Sequence, residues 1–286
     1  MRTLYVVASP IGNLGDASPR MRETLASCDL IAAEDTRVTA KLLSHFDIHT
    51  KSVSYYRHNE NFRAGQIIER MLSEGIDVAL ISDAGTPCIS DPGYAIVKAA
   101  AEAGITVVPI CGPSAVAAAL SVCGFKIDNF GFYGFLPRVK KDCAAKLAGI
   151  ARSGLDAAVA YESPRRIKVL MQTVAEILPD RQACLCCDLS KYYETILRGL
   201  PAEILAILSD NPKSEKGEYT LVIDLYGIIA ADGAVKKSQA SAEALYIDAV
   251  IKGMSHSEAA AFLTSEYGIP RNAAYQAGLK AKEFLK

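Results

Sequence analysis

Twelve consecutive residues of this chain, Ser82-Asp83-Ala84-Gly85-Thr86-Pro87-Cys88-Ile89-Ser90-Asp91-Pro92-Gly93, hold two glycines, two prolines and two aspartates directly after an apolar run. Such a loop is stiff and exposes amides together with a carboxylate, and an aspartate at a strand end accepts from a ribose hydroxyl or an ammonium group. A surface turn with Asp91 as a helix cap accounts for Asp91-Pro92-Gly93 but not for Asp83 through Thr86. Three more segments carry chemistry-bearing residues after strand-like runs. Pro10-Ile11-Gly12-Asn13-Leu14-Gly15 looks like a phosphate loop, yet it lacks GxGxxG and Gly-Lys-Ser/Thr, so a triphosphate site is not expected, and a simple turn is an equal alternative. Cys111-Gly112-Pro113-Ser114-Ala115 runs into a helix start, where amides suit a carboxylate or carbonyl; a merely capped helix explains it equally well. Ala32-Ala33-Glu34-Asp35-Thr36-Arg37 groups two acids and a base at a strand end, as a cleft or as a salt-bridged terminus.

These segments need a scaffold that brings them together. Strand patterns cover residues 3–9, 30–34, 52–56, 78–82 and 106–111, with helical patterns at 19–28, 39–46, 61–73 and 95–103. Ser18-Pro19 makes a helix start, and Gly75 and Gly104 follow helices where a left-handed residue is wanted. The alternation predicts a mostly parallel sheet covered on both faces, with ligands beyond the carboxyl ends of its strands. From residue 112 a second unit has strands at 131–135, 157–161, 183–187, 194–199 and 220–224, and helices at 114–123, 142–151, 164–177 and 202–208. Little helix separates 183–187 from 194–199, which points to antiparallel pairing in a mixed sheet. Residues 227–240 read as a linker. Three helical patterns follow at 242–252, 257–266 and 271–284, with a Ser255/Glu258 capping box and Gly268 closing the second; they resemble a helix-turn-helix, which more often serves packing or a dimer surface than nucleic acid. The expected fold is α/β, with domains at 1–111 and 112–227 and a helical unit at 228–286.

Composition narrows the classes. A chain of 286 residues, 50% hydrophobic and 22% charged, is long enough for two domains. Its apolar runs fall short of the ~18 residues that a membrane span needs, and its opening reads as a strand rather than a signal peptide, so a cytoplasmic protein is expected. A net charge of −1 argues against wholesale coating by nucleic acid while allowing a local basic patch. Cys184 and Cys187 form a lone CxxC without a second pair or nearby histidines, so buried reduced thiols are expected rather than zinc.

Taken in order, the motifs Pro10–Asp16, Ala33–Arg37, Ser82–Gly93, Gly112–Leu120, Phe132–Pro137 and Tyr161–Arg165 resemble the tetrapyrrole methylase superfamily, and within it the ribosomal RNA small-subunit methyltransferase I branch. The resemblance runs over residues 1–226; Asp188-Leu189-Ser190-Lys191 stands where that branch usually has Glu-Leu-Thr-Lys. It implies two α/β domains around a cleft, S-adenosylmethionine as methyl donor, no metal, a homodimer, and 2′-O-methylation of a cytidine in small-subunit ribosomal RNA. Carried over by position, it implies cofactor contacts from Pro10, Ser82, Asp83, Ala84, Ser114, Ala115, Tyr161, Glu162, Leu189, Gly217 and Glu218.

A ribose hydroxyl is a poor nucleophile, so methylating it calls for a positioned base or a cation beside the forming alkoxide. Glu34 and Asp35 are the candidate bases and Lys191 the candidate cation, with an exposed lysine as its commoner fate. Arg37, Arg138, Lys140, Arg165 and Arg166 are candidates for holding RNA phosphates. Phe132, Tyr133 and Phe135 offer stacking surface, although strand spacing puts Phe132 and Phe135 on opposite faces and predicts core burial of at least one. Two other readings compete: methylation of a tetrapyrrole-like small molecule or a modified protein residue, and a nucleotide-binding module or dehydrogenase, the latter disfavoured by the missing GxGxxG.

Overall fold

The first five strands form one sheet because their apolar side chains alternate between two helical layers. A computed structural model describes residues 2–212, 214–227, 242–267 and 269–281. Within it β1 (Thr3–Val7), β2 (Leu30–Ala33), β3 (Ser52–Ser54), β4 (Val78–Ile81) and β5 (Thr106–Ile110) make an all-parallel sheet in the order β3-β2-β4-β1-β5. All four residues of β2 and of β4 are buried, which is why both read as continuous apolar runs. Leu30, Ala32, Val78 and Leu80 pack against α3 (Glu60–Glu74) and α4 (Tyr94–Glu102), whereas Ile31, Ala33, Ala79 and Ile81 pack against α1 (Pro19–Ser27) and α2 (Thr36–His45). Ser18 caps α1 through its side chain at 3.0 Å from Met21 N, and Gly75 ends α3 in the left-handed conformation.

One polar group sits at the centre of this core. Tyr55 is fully buried, and its hydroxyl oxygen accepts from Ile96 N at 3.1 Å. Gly93, the residue preceding α4, has no side chain to do that work. Tyr55→Phe leaves the amide buried without a partner and is expected to cost about 1–3 kcal/mol, read as a lower denaturation midpoint with an unchanged m value.

The second sheet, in the order β6-β7-β10-β8-β9, is mixed. β6 (Phe130–Phe135) and β7 (Ala157–Glu162) are parallel. β8 (Ala183–Cys187), β9 (Thr195–Gly199) and β10 (Tyr219–Asp224) pair antiparallel, with the last strand inserted between β7 and β8. Val116 and Ala119 of α5 (Ala115–Val122) pack against Val159, Cys184, Cys186 and Val222. α6 (Lys140–Ala151), α7 (Ile167–Ile177) and α8 (Pro201–Asp210) complete this half. The cysteines are unpaired; Cys184 and Cys186 are buried with sulfurs 3.9 Å apart, and Cys187 is partly exposed.

Both sheets belong to one compact unit, and a second holds the helical region. There α9 (Ala242–Ile251), α10 (His256–Tyr267) and α11 (Arg271–Ala281) bury Tyr246, Ala249, Ala259, Leu263, Ala274 and Ala281. Ser255 and Glu258 make the reciprocal cap at 2.8 and 3.3 Å. Gly278 is needed for close approach, since a Cβ there would lie 2.7 Å from the Tyr246 ring. All but the first residue of the linker read at 227–240, the Gly268 helix stop and the last residues of the helix expected to reach 284 lie outside the described residues. No helix among the described residues is long and apolar enough to cross a membrane.

Candidate active site

The strand order makes β1 the switch point of the first sheet, because the chain leaves it for β2 on one side and returns to β5 on the other. Loops after β1, β4 and β5 therefore meet, and they are tied together. Ser9 and Gly85 form a two-way backbone bridge (2.9 and 3.1 Å), the Ser9 hydroxyl donates to Ser82 O, and the Thr86 hydroxyl donates to Pro113 O at 3.3 Å. Gly112 lets the third loop lie against the first, since a Cβ there would be 3.0 Å from that of Ala8.

Against these loops lies a cavity of about 340 Å³ whose other wall is the second sheet. It brings together seven of the eleven residues expected at a cofactor: Ala84, Ser114, Ala115, Tyr161, Glu162, Gly217 and Glu218. Pro10, Ser82 and Asp83 line a separate depression of about 220 Å³, and Leu189 another of about 400 Å³ that shares Ile11 and Ser114 with the main cavity. Tyr219 and Thr220, which the sequence reading did not single out, also line it, as do Ser163 of the Tyr161–Arg165 motif and Asp91, a helix cap in the sequence reading. Asp91 had a legible signal: Pro92 and Gly93 separate it from α4, so it stands too early to cap that helix.

The second-sheet wall is held from behind. Glu162 is 2% exposed; one carboxylate oxygen accepts from Ser163 N at 2.7 Å, and the other lies 3.1 Å from Arg166 Nη2 without an aligned hydrogen bond. Arg166 also donates to the carbonyls of Leu136 and Pro137. Its guanidinium is thus engaged inside the protein, whereas Arg138 and Arg165 are exposed, as are Arg37 and Lys140, which are paired at the surface with Asp35 and Glu176. Phe132 and Phe135 both contact Tyr161, at ring centroids of 4.8 and 5.9 Å. Opposite faces were expected; a register shift between them, with Gly134 at φ +59°, turns Phe135 into the cavity while Phe132 packs on the core.

Lys191 bonds Asp188 at 2.9 Å and Glu218 at 2.8 Å; burial works to lower its pKa, but these two carboxylates outweigh that and raise it, so it serves as a fixed cation. Its stem crosses Gly12, where a Cβ would lie 2.3 Å from Lys191 Cγ. Gly12→Ala is expected to displace this ammonium and to lower methyl transfer by about tenfold, measured as kcat with the melting temperature as control.

The two candidate bases differ. Asp35 caps α2, grips Arg37 at 2.6 Å, and that hydrogen bonding holds its carboxyl down at about 2. Glu34 accepts from Asp83 N while the Asp83 carboxylate accepts from Asp35 N at 3.0 Å; burial raises both Glu34 and Asp83. Neither Glu34 nor Asp35 lines the cavity.

Residues 3–205 match the model of the tetrapyrrole (corrin/porphyrin) methylases. The chain belongs to the tetrapyrrole methylase family. Among curated relatives of this methylase, the ribosomal RNA small subunit methyltransferase I of Vibrio cholerae is 40% identical over 283 residues, covering 97% of this chain and 94% of that one. The protein of the same name from Synechocystis is 39% identical over 281 residues and covers 98% of each. Solved structures give the fold: the methyltransferase CobJ matches with a TM-score of 0.57 at 18% identity over 78% of this chain and 93% of that one. Uroporphyrin-III-C-methyltransferase from Thermus thermophilus matches with a TM-score of 0.53 at 16% identity, over 78% and 94%.

The cavity suits S-adenosylmethionine. Its volume is in the range of small-ligand sites, ~300–1,000 Å³. Ala84, Ser114 and Ala115 leave room for a flat ring, Ser114 makes no side-chain cap to α5, and one buried Glu162 oxygen lacks a hydrogen-bond donor.

Proposed function

We propose that this methylase transfers a methyl group from S-adenosylmethionine to the 2′-hydroxyl of a cytidine in small-subunit ribosomal RNA, in the cytoplasm and as a homodimer. The reading rests on one observation above all: seven residues predicted from four separated segments converge on a single cavity, in a chain that follows small-subunit methyltransferase I relatives over nearly its whole length. Residues 1–111 and 112–227 serve as the two domains that hold the methyl donor, with 228–286 as a separate helical unit.

When bound, S-adenosylmethionine supplies an activated methyl carbon on a sulfonium. The chain's own work is alignment, which is worth roughly 7–11 kcal/mol when reacting atoms are well placed. Ala84, Ser114, Ala115, Tyr161, Glu162, Gly217 and Glu218 bind the donor, with Pro10, Ser82, Asp83 and Leu189 supporting them from the adjoining loops. Lys191 stabilises negative charge on the acceptor oxygen. Arg37, Arg138, Lys140 and Arg165 hold phosphates, so affinity for RNA falls steeply with salt.

The test is transfer of a tritium-labelled methyl group to isolated small subunits, with nuclease mapping of the labelled nucleotide. Label on a cytidine ribose is expected. Label on a porphyrinoid precursor instead would favour the small-molecule reading, and RNA binding without transfer would remove catalysis altogether.

A further inference from the structure

Two tyrosines project from the turn that joins β8 to β9. Tyr192 is 93% exposed and Tyr193 73%, and their rings meet edge to face at 4.9 Å between centroids. A single apolar group on a surface needs no explanation, but two adjacent rings held against each other in water do.

The turn that carries them is rigid. Asp188 and Ser190 both adopt left-handed φ (51° and 65°), an uncommon conformation that a turn keeps only when its surroundings enforce it. Lys191 N donates to Asp188 O at 2.9 Å, Ser190 N to the Glu194 carboxylate at 2.6 Å, and Glu194 N to Lys191 O at 3.1 Å. The turn is also fastened to the wall of the donor cavity. Asp188 N donates to Glu218 O at 2.9 Å, Glu218 N donates to the Asp188 carboxylate at 3.2 Å, and the Lys191 ammonium bonds both carboxylates. Gly217 and Glu218 line that cavity, so the two rings hold a set position beside it.

We propose that Tyr192 is the stacking platform for the base of the acceptor nucleotide, with Tyr193 bracing its ring edge-on. This rests on the methyl-transfer reading above, in which Lys191 stands beside the acceptor oxygen. In a nucleotide the base is carried by C1′, the carbon bonded to the one that bears the 2′-hydroxyl. With the oxygen at Lys191 the base must lie close by, and Tyr192 is the next residue, its Cα about 3.8 Å along the chain.

Charge decides which part of the RNA this turn receives. It carries Asp188 and Glu194 and is bonded to Glu218, against one cation in Lys191, so it repels a phosphate. A neutral base with a π-face suits two neutral rings, and unstacked bases of RNA loops are recognised in this way. Phosphates fall instead to the basic residues named above. A tyrosine ring turns about only two side-chain bonds, so stacking on it freezes little motion.

Steady-state methyl transfer to small subunits by wild type, Tyr192→Ala and Tyr192→Phe tests the role at several salt concentrations. Calorimetric affinity for S-adenosylmethionine and molecular mass by light scattering complete it. The side chain is so exposed that neither substitution disturbs the core. Tyr192→Ala should lower kcat/KM for small subunits by ~5–150-fold with donor affinity unchanged. Tyr192→Phe should keep the wild-type value, because stacking uses the ring and not the hydroxyl. The fall of kcat/KM with salt should keep its wild-type slope, since no phosphate contact is removed. A Tyr192→Ala enzyme with wild-type kcat/KM overturns the inference alone. So does one whose salt slope flattens, which would make the tyrosine a phosphate ligand. A Tyr192→Ala protein of half the wild-type mass overturns it too, and gives the pair to an interface between copies. A wild type that methylates no RNA overturns the functional reading, and the platform with it.

Discussion

Arg166→Ala is expected to lower the melting temperature by roughly 6–12 °C, because it strips the counter-ion from a buried carboxylate. The Glu162 side chain is fully inaccessible and the Arg166 side chain 28% exposed. Breaking such a pair from one side typically costs ~3–5 kcal/mol, and the partial exposure of Arg166 places this case near about 3. In a protein of this size each kcal/mol moves the midpoint by ~2–4 °C. The guanidinium also leaves the carbonyls of Leu136 and Pro137 without their donor. The double variant Glu162→Gln/Arg166→Met should regain most of the loss, since it removes both charges. A thermal scan decides: an Arg166→Ala protein that melts like wild type but binds RNA weakly would return Arg166 to the phosphate-holding group.

The second large effect concerns the cavity. Ala84 is exposed and lines it, so a bulkier side chain there meets ligand space rather than core. Ala84→Phe should weaken binding of S-adenosylmethionine by ~100-fold or more, about 2.7 kcal/mol, with unfolding little changed. Calorimetry on both proteins measures it. Equal affinities would place the methyl donor elsewhere and take the cavity assignment down.

Much of this architecture is legible in the chain because its signals are local. Ser18-Pro19 and Ser255/Glu258 are caps whose partners lie three residues away, and both form. The buried runs of β2 and β4 announce a covered parallel sheet. What stays hidden depends on contacts distant in sequence. The insertion of β10 between β7 and β8 follows from no local pattern, since strand order is settled by packing. Phe132 and Phe135 share Tyr161 only because Gly134 bends the strand between them. The difference between Asp35 and Asp91 is likewise non-local. Both sit at loop ends beside apolar runs, but Arg37 engages the first, while burial and the charges of Glu34 and Asp83 act on the other.

The stitching of the 82–93 loop has a thermodynamic corollary. Ser9 pins its beginning, Arg57 its middle and Glu60 its end, so a ligand arriving there freezes little chain. Recognition on such a prebuilt surface forfeits hardly any disorder. Complexation should accordingly leave amide deuterium uptake in this stretch almost as slow as it already was, with the change in protection appearing in whichever surfaces the RNA covers.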